Sequence, residues 1–125
     1  MTQKILVIDD EDAILVVVRA ALEITAGWEV VSTASAVEGI ELAKTSQPDA
    51  ILLDVSMPKM DGTEVFTQLQ SSDVTKHIPV IFLTAKARTS DQRSLMNLGA
   101  SGVILKPFNP QTIAAEIKEV LNWRG

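Results

Sequence analysis

The sequence contains no cysteine and only one histidine, His77. Without cysteine the chain can form no disulfide bond, thiolate nucleophile or cysteine-based zinc site. His77 lies just before a predicted strand, where we expect a surface residue. Basic residues are also few relative to acidic ones, and the formal net charge is −5. This acidic balance argues against nucleic acid as a direct partner, because phosphate backbones attract basic surfaces.

Targeting signals and long apolar runs are missing as well. The N-terminal residues, MTQKILVIDDED, have neither the apolar core nor the small-residue cleavage site of a signal peptide. The longest apolar runs are much shorter than a membrane-spanning helix requires. With 125 residues, of which 46% are hydrophobic, the chain can form one domain with a substantial core. We therefore expect a single cytoplasmic domain over residues 1–125 that has no contact with a membrane.

Short apolar runs alternate along the chain with longer stretches that have the periodicity of amphipathic helices. All the predicted strands except the second are continuous apolar runs, as expected for parallel strands that are covered on both faces. Five βα units in succession predict a doubly wound α/β domain of the flavodoxin-like type, with strand order 2-1-3-4-5 and helices on both faces of the sheet. The predicted strands are residues 4–8, 29–34, 50–54, 79–84 and 102–106, and the predicted helices are residues 12–26, 36–46, 62–71, 89–98 and 110–123.

Local signals refine the predicted helices. Asp12 is a candidate N-cap of the first helix, because a short side-chain oxygen there can accept a free backbone N–H. Pro110 suits the first turn of the last helix, where its missing N–H costs nothing. In the second helix Val37, Ile40 and Ala43 recur at helical spacing, so we expect them to face the core.

Polar residues stand at the carboxyl ends of four of the five strands. Asp9 and Asp10 follow the first strand, Asp54 ends the third, Thr84 ends the fourth and Lys106 ends the fifth. In open parallel sheets ligands bind beyond these ends, near the switch in strand order. Because the first and third strands are neighbours in the predicted order, the three aspartates should converge on one cleft. Thr84 and Lys106 would reach the same cleft from the adjoining strands.

This set of side chains is typical of phosphoryl-transfer chemistry. Three carboxylates in one cleft cannot all remain ionised without compensation, and a hard divalent cation is the usual one. Oxygen ligands favour Mg²⁺, with Mn²⁺ as an alternative. Lys106 would supply a point charge for phosphate oxygens, and Thr84 would supply a hydroxyl donor. A carboxylate in line with the phosphorus atom could then act as the nucleophile and become an aspartyl phosphate.

At these residues the sequence resembles the receiver domain of two-component response regulators, and the resemblance covers essentially the whole chain. The matching segments are VIDDED, LLDVSMPKMDG, PVIFLTA and GASGVILKPF. The resemblance implies that Asp54 accepts a phosphoryl group from a histidine kinase, a histidine phosphotransfer protein or a small phosphodonor. It therefore implies a phosphorylation-dependent signalling switch, which is not an enzyme beyond its own phosphorylation and autodephosphorylation.

The resemblance also implies how a magnesium ion is held. Asp10 and Asp54 match the direct ligands of the ion, and the backbone carbonyl of Ser56 matches a third. Asp9 matches a residue that acts on the ion through water.

The resemblance also implies roles for two further residues and for one surface. Thr84 matches the switch hydroxyl, and Lys106 matches the phosphate-binding lysine. The Lys106–Pro107 peptide bond is expected to be cis, as is typical of the family. An output protein is expected to bind the face formed by the fourth helix, the fifth strand and the fifth helix.

Positions 103 and 86 qualify these expectations. The family usually has Tyr or Phe where Val103 stands, and that ring changes rotamer when the threonine moves. We therefore expect movement of Thr84 and of residues 86–90 to carry the signal instead. Ser56 and Lys86 match positions that flank the path of the hydrolytic water, so Lys86 is predicted to influence the lifetime of the phosphoryl group.

Other functions remain open at this point. A phosphohydrolase of the haloacid dehalogenase type would place its nucleophile on the first strand, at Asp9 or Asp10, and would need an acid pair after Lys106. Only Glu116 and Glu119 follow that lysine, both inside a predicted helix. A flavodoxin would need a hydroxyl- and glycine-rich loop after the first strand, where this chain is acidic. The third alternative is a pseudo-receiver, an interaction module that is never phosphorylated.

Overall fold

A computed structural model describes residues 2–86 and 88–123. One sheet contains five parallel strands in the order β2-β1-β3-β4-β5, which confirms the predicted doubly wound fold. Among the described helices none is both long and apolar enough to cross a membrane. The strands are β1 Lys4–Ile8, β2 Glu29–Thr33, β3 Ala50–Asp54, β4 Val80–Thr84 and β5 Gly102–Leu105, and the helices are α1 Asp12–Ala26, α2 Ala36–Ser46, α3 Gly62–Gln70, α4 Thr89–Asn97 and α5 Ile113–Leu121.

The core lies in two layers, one on each face of the sheet. All residues of β3 and β4 are buried, because helices cover both faces of these central strands. Successive residues of a strand point to opposite faces, so each strand contributes to both layers. The layer under α2, α3 and α4 includes Leu6, Ile8, Ile40, Leu53, Phe66, Phe82 and Leu95, and the layer under α1 and α5 includes Ile5, Val7, Leu22, Leu52, Ile81, Ile113 and Ile117.

The N-terminus of α1 differs by one residue from the prediction. Glu11 occupies the N-cap position with an extended backbone, and Asp12 is the first helical residue, so the assignment of Asp12 as the N-cap is wrong. The backbone carbonyl of Glu11 accepts the N–H groups of Ile14 and Leu15 at 3.0 and 3.2 Å. The N–H of Glu11 donates to Asp9 Oδ1 at 2.9 Å. The carboxylate of Asp9 thus fixes where the strand ends and where the helix begins.

The helix α5 begins at Ile113 rather than at Pro110, so the predicted start is wrong. The side chain of Asn109 accepts the N–H of Gln111 at 2.9 Å. Its backbone carbonyl accepts the N–H groups of Thr112 and Ile113, both at 3.0 Å. Asparagine commonly stabilises a turn in this way, and here the turn delays the regular helix by three residues.

The helix α2 faces the core with Ile40 and Ala43, as predicted, but Val37 is 65% exposed. Gly39 lies so close to β1 that a β-carbon there would be 2.5 Å from Ile8 Cδ1. Val37 stands two residues before this point of contact, which is more than half a helical turn, so it points to solvent.

Gly62 fixes the connection between β3 and α3. Its N–H donates to the carbonyl of Val55 at 2.8 Å. A β-carbon at Gly62 would overlap the carbonyl oxygen of Asp54 and would lie 2.8 Å from the Cα of Val55. Both neighbours are backbone atoms, so they cannot move aside as a flexible side chain could. The start of α3 can therefore approach the end of β3 only because residue 62 is glycine.

Replacement of Gly62 by alanine should lower the free energy of unfolding by about 1–3 kcal/mol or more, because the added methyl group forces the backbone apart. Denaturant-induced unfolding measures this change. Gln70→Ala, at the exposed end of the same helix, is the control and should stay within about 0.5 kcal/mol of the wild type. If Gly62→Ala were as stable as Gln70→Ala, the close approach described above would be incorrect.

Candidate functional site

The carboxyl ends of β1, β3 and β4 meet at one edge of the sheet. Ile8 of β1 is in register with Leu53 of β3, and Asp54 is in register with Leu83 of β4. Asp9 follows Ile8 directly, so it lies beside Asp54 across neighbouring strands. The structure therefore brings together the aspartates that the sequence predicts at this edge.

Asp9, Asp10 and Asp54 form a cluster in which one oxygen of each carboxylate lies within 4.8 Å of the others. Asp9 is fully buried and Asp54 is only 3% exposed, whereas Asp10 is exposed. Oδ1 of Asp9 accepts the N–H of Glu11, and Oδ2 is the oxygen that faces Lys106. Oxygen ligands clustered at two adjacent strand ends, two of them on buried carboxylates, suit a hard divalent cation. These residues thus fit the predicted magnesium site.

The ammonium group of Lys106 lies against this acidic cluster. Its Nζ atom is 2.8 Å from Asp9 Oδ2, 3.3 Å from Asp54 Oδ1 and 3.4 Å from Glu11 Oε1. The Lys106 side chain is only 12% exposed, and its peptide bond to Pro107 is cis, as expected. Since an ammonium group has three N–H donors, each donor can face one of the three carboxylates. The lysine therefore supplies the positive charge that the buried aspartates require.

Lys106 does not fully compensate the negative charge of the buried aspartates, as the pKa of Asp54 indicates. Burial raises the pKa of Asp54 from 3.8 to about 6, and the negative charge of Asp9 and a hydrogen bond with Asp10 act in the same direction, although Lys106 opposes them. Burial by itself lowers the pKa of Lys106, but its hydrogen bonds and ion pairs with Asp9 and Asp54 outweigh burial and raise that pKa. One ammonium group therefore stays charged without restoring Asp54 to ordinary acidity, which leaves a role for a further cation.

The backbone after β3 also reaches the cluster. The N–H of Ser56 donates to Asp54 Oδ1 at 3.3 Å, and its side chain is exposed. This bond holds the loop between β3 and α3 close to the carboxylate of Asp54. The role of the Ser56 carbonyl as a metal ligand stays a prediction.

Thr84 ends β4 beside the cluster and is 3% exposed. Its Oγ1 accepts the N–H of Lys86 at 3.0 Å, and its carbonyl accepts the N–H of Lys106 at 2.8 Å. Thr84 and Lys86 line a cavity of about 180 Å³ together with Asp91 and Leu95 of α4. Thr84 is therefore in contact with both the strand that precedes Lys106 and the space beside α4.

Val103, the position at which the sequence departs from the resemblance, is half-buried in β5. It is in register with Phe82 of β4 and packs against the core layer under α4. The loop 86–90, which is predicted to carry the signal instead of an aromatic ring, includes Ala87, a residue outside the described part of the chain.

Sequence reasoning did not assign Glu11 to the site. Its backbone forms the N-cap of α1, yet its carboxylate lies 3.4 Å from Lys106 Nζ. The signal in the sequence is the run of four acids at residues 9–12, of which the strand-end rule assigns only Asp9 and Asp10 to the cleft. The side-chain direction of Glu11 follows from the cap geometry, which the pattern alone does not reveal.

Known proteins are similar in sequence to this chain over nearly its whole length. A family model described as the response regulator receiver domain matches residues 5–118. The alkaline phosphatase synthesis transcriptional regulatory protein PhoP of Bacillus subtilis is 38% identical over 121 residues, which cover 97% of this chain and 49% of PhoP. The transcriptional regulatory protein PrrA of Mycobacterium tuberculosis is 33% identical, with coverage of 98% and 51%. This chain thus spans about half the length of the curated relatives it matches.

Solved structures share the fold over nearly the whole length of both chains. The chemotaxis protein CheY4 of Vibrio cholerae superposes with a TM-score of 0.88 at 31% identity and covers 96% of this chain and 99% of its own. The receiver domain of the sensor histidine kinase PA1611 of Pseudomonas aeruginosa has a TM-score of 0.82 at 26% identity, with coverage of 98% of each chain. Together with the family match over residues 5–118, these likenesses show that the chain belongs to the response regulator receiver domain family.

Proposed function

We propose that this receiver domain is switched by phosphorylation of Asp54. The observation that carries the proposal is the placement of the Asp54 carboxylate at the edge of the sheet, 3.3 Å from Lys106 Nζ and within the cluster of three acids. A phosphoryl group that arrives there meets a fixed positive charge on one side and a set of cation ligands on the other. Such a site needs only to position and neutralise the group, which is most of what phosphoryl transfer requires.

The chemical step uses groups that the chain holds in place. A carboxylate oxygen of Asp54 forms a bond to phosphorus while the bond from phosphorus to the donor breaks, and the electron pair of that bond leaves with the donor. Lys106 stabilises the negative charge on the phosphoryl oxygens as it moves into the site. The hydroxyl of Thr84 donates a hydrogen bond to another phosphoryl oxygen. Hydrolysis of the acyl phosphate returns Asp54 to its carboxylate, which is the only enzymatic property we propose.

We infer that magnesium, or manganese in its place, completes this site. Asp10, Asp54 and the backbone carbonyl of Ser56 would bind the ion directly, and Asp9 would bind it through water. The ion supplies positive charge that Lys106 alone does not provide, as the raised pKa of Asp54 indicates. The PA1611 receiver domain, which has the same fold, contains a magnesium ion coordinated in its active-site cleft, and this supports the inference.

The partners follow from the same chemistry. We propose that a histidine kinase or a histidine phosphotransfer protein donates the phosphoryl group, and that an output protein binds the face formed by α4, β5 and α5. This face presents several partly exposed apolar side chains, as a protein-binding surface does. A cytoplasmic location and the absence of direct nucleic-acid binding stay predictions. The exposed apolar residues on these three elements are Met96, Leu105 and Val120.

Coupling between Asp54 and this face would run through Thr84. The hydroxyl of Thr84 faces the backbone of Lys86 and the cavity beside α4, so its movement toward a phosphoryl group would change the contacts that hold the β4–α4 connection. Val103 has no ring that could change rotamer and would serve only as packing for β5. Lys86 and Ser56, which are both exposed, remain the residues predicted to modulate hydrolysis.

The family match favours this function over the alternatives. A phosphohydrolase of the haloacid dehalogenase type needs an acid pair after Lys106, but Glu116 and Glu119 lie on the exposed side of α5. A pseudo-receiver would need no intact pocket, whereas here three aspartates are clustered and Lys106 contacts two of them, Asp9 and Asp54. Phosphorylation at Asp54 is the remaining point that separates these functions.

Incubation with acetyl phosphate and magnesium should add one phosphoryl group to the wild-type protein, because a small donor can reach the cleft directly. Intact-mass measurement and mapping of the modified peptide should locate the group on Asp54. Asp54→Asn should not be modified, whereas Asp73→Asn, which removes a fully exposed acid outside the site, should behave as the wild type. Modification of Asp9 or Asp10 would support the phosphohydrolase instead, and no modification of the wild type would support the pseudo-receiver.

Without magnesium, the wild type should lose stability relative to Asp54→Asn as the pH rises from about 4 to above 6. The pKa of Asp54 is raised in the folded state, so within this range the folded protein still binds a proton that the unfolded chain has already released, and its stability falls as the pH rises. The interval from 3.8 to about 6 corresponds to roughly 3 kcal/mol of relative stability at most. Unfolding in urea at several pH values measures the difference between the two proteins.

Added magnesium should reverse this loss in the wild type, because the ion binds the ionised cluster. The stabilisation should be larger at pH 7.5 than at pH 5 and should reach about 2.7 kcal/mol at a concentration one hundred times the dissociation constant. Stabilisation that is equal at both pH values, or equal in Asp54→Asn, would show that the ion binds elsewhere.

A further inference from the structure

We propose that Glu11 is a positioning residue that holds Lys106 in the unphosphorylated domain and selects against small, highly charged phosphodonors. The proposal rests on the function proposed above and concerns the same site. Its starting point is that the ammonium group of Lys106 contacts Glu11 in addition to Asp9 and Asp54 of the acid cluster.

These three contacts differ in strength and exposure. Asp9 is fully buried and its oxygen is 2.8 Å from Lys106 Nζ, so this ion pair is short and shielded from water. Asp54 is 3.3 Å away and is also buried. Glu11 is 3.4 Å away, and its side chain is 61% exposed. The contact with Glu11 is therefore the longest and the one on the solvent side.

Phosphorylation requires one donor of the ammonium group to turn to a phosphoryl oxygen. The donor that faces Glu11 is the one that can be released at the lowest cost, because both its distance and its exposure weaken the ion pair. The incoming group arrives from solvent, which is the side on which Glu11 stands. The carboxylate of Glu11 therefore occupies the position at Lys106 that an incoming anion needs, and its charge repels that anion.

The contribution of Glu11 to folding is separate from this role. Its backbone caps α1, but its side chain makes no capping hydrogen bond. The N–H that donates to Asp9 and the carbonyl that accepts from the helix both remain in a variant with a different side chain. Replacement of the carboxylate by an amide should therefore leave the stability of the domain unchanged.

Asp12 offers a matched control. It carries the same charge, stands one residue further along the chain and is likewise exposed. In the described part of the chain, the ion pairs of Lys106 are with Asp9, Glu11 and Asp54, and none is with Asp12. Asp12→Asn thus removes one negative charge near the cleft without removing a partner of the lysine.

The test compares wild type, Glu11→Gln and Asp12→Asn with two small donors at saturating magnesium. At neutral pH the net negative charge of acetyl phosphate is larger than that of phosphoramidate, whose nitrogen is protonated. Glu11→Gln should raise the second-order rate constant for acetyl phosphate by about two- to fivefold, the range expected for an exposed ion pair, and should raise that for phosphoramidate by less. Asp12→Asn should change neither rate by more than about 1.5-fold, and Glu11→Gln should unfold at the same temperature as the wild type.

Three results would overturn the proposal while the wild type is still phosphorylated on Asp54. They are an unchanged rate in Glu11→Gln, an equal increase with both donors, and an increase in Asp12→Asn as large as that in Glu11→Gln. An equal increase with both donors would show that the effect does not depend on the charge of the donor, and an equal increase in Asp12→Asn would show that only the general charge near the cleft matters. No phosphorylation of the wild type by either donor would overturn this proposal together with the proposed function.

Discussion

The ion pair between Lys106 and Asp9 is the interaction on which the site depends. Asp9 is fully buried at the end of β1, where a lone carboxylate would be very costly, and Lys106 Nζ lies 2.8 Å from it. The same ammonium group contacts Asp54, so a single cation restrains two acids that would otherwise repel each other. Since that compensation is partial, the pKa of Asp54 stays raised at about 6. Further positive charge would therefore stabilise the ionised form of the site.

The fold produces this arrangement through the order of its strands. Asp9 and Asp54 are distant in sequence but are adjacent because β1 pairs with β3 in parallel. The backbone around Asp54 is held equally closely, since Gly62 allows α3 to start against the carbonyl of that residue. Because these backbone segments are packed against one another, the acidic groups are held in place, and no side chain has to rearrange to bring them together. The free-energy cost of the clustered charges is offset by the two core layers on either side of the sheet.

The sequence predicted the scaffold better than the details of the site. Continuous apolar runs identified the strands, and the polar residues after them identified Asp9, Asp54 and Lys106, because strand ends of a parallel sheet share one edge. The predicted start of α5 was wrong, because the turn at Asn109 depends on local hydrogen bonds, which leave no periodic pattern in the sequence. The contact of Glu11 with Lys106 was not predicted, because it joins residues 95 positions apart through a side-chain direction that the cap sets.

The most direct test of this account is a carbon NMR titration of the Asp54 carboxyl group in the absence of divalent cations, carried out on the wild type and on Lys106→Met. The account predicts that Asp54 titrates near 6 in the wild type, because burial and Asp9 raise its pKa. It predicts a higher pKa in Lys106→Met, because the ammonium group that lowers it is lost. Titration of the wild type at the ordinary value of 3.8, or the same pKa in both proteins, would contradict it.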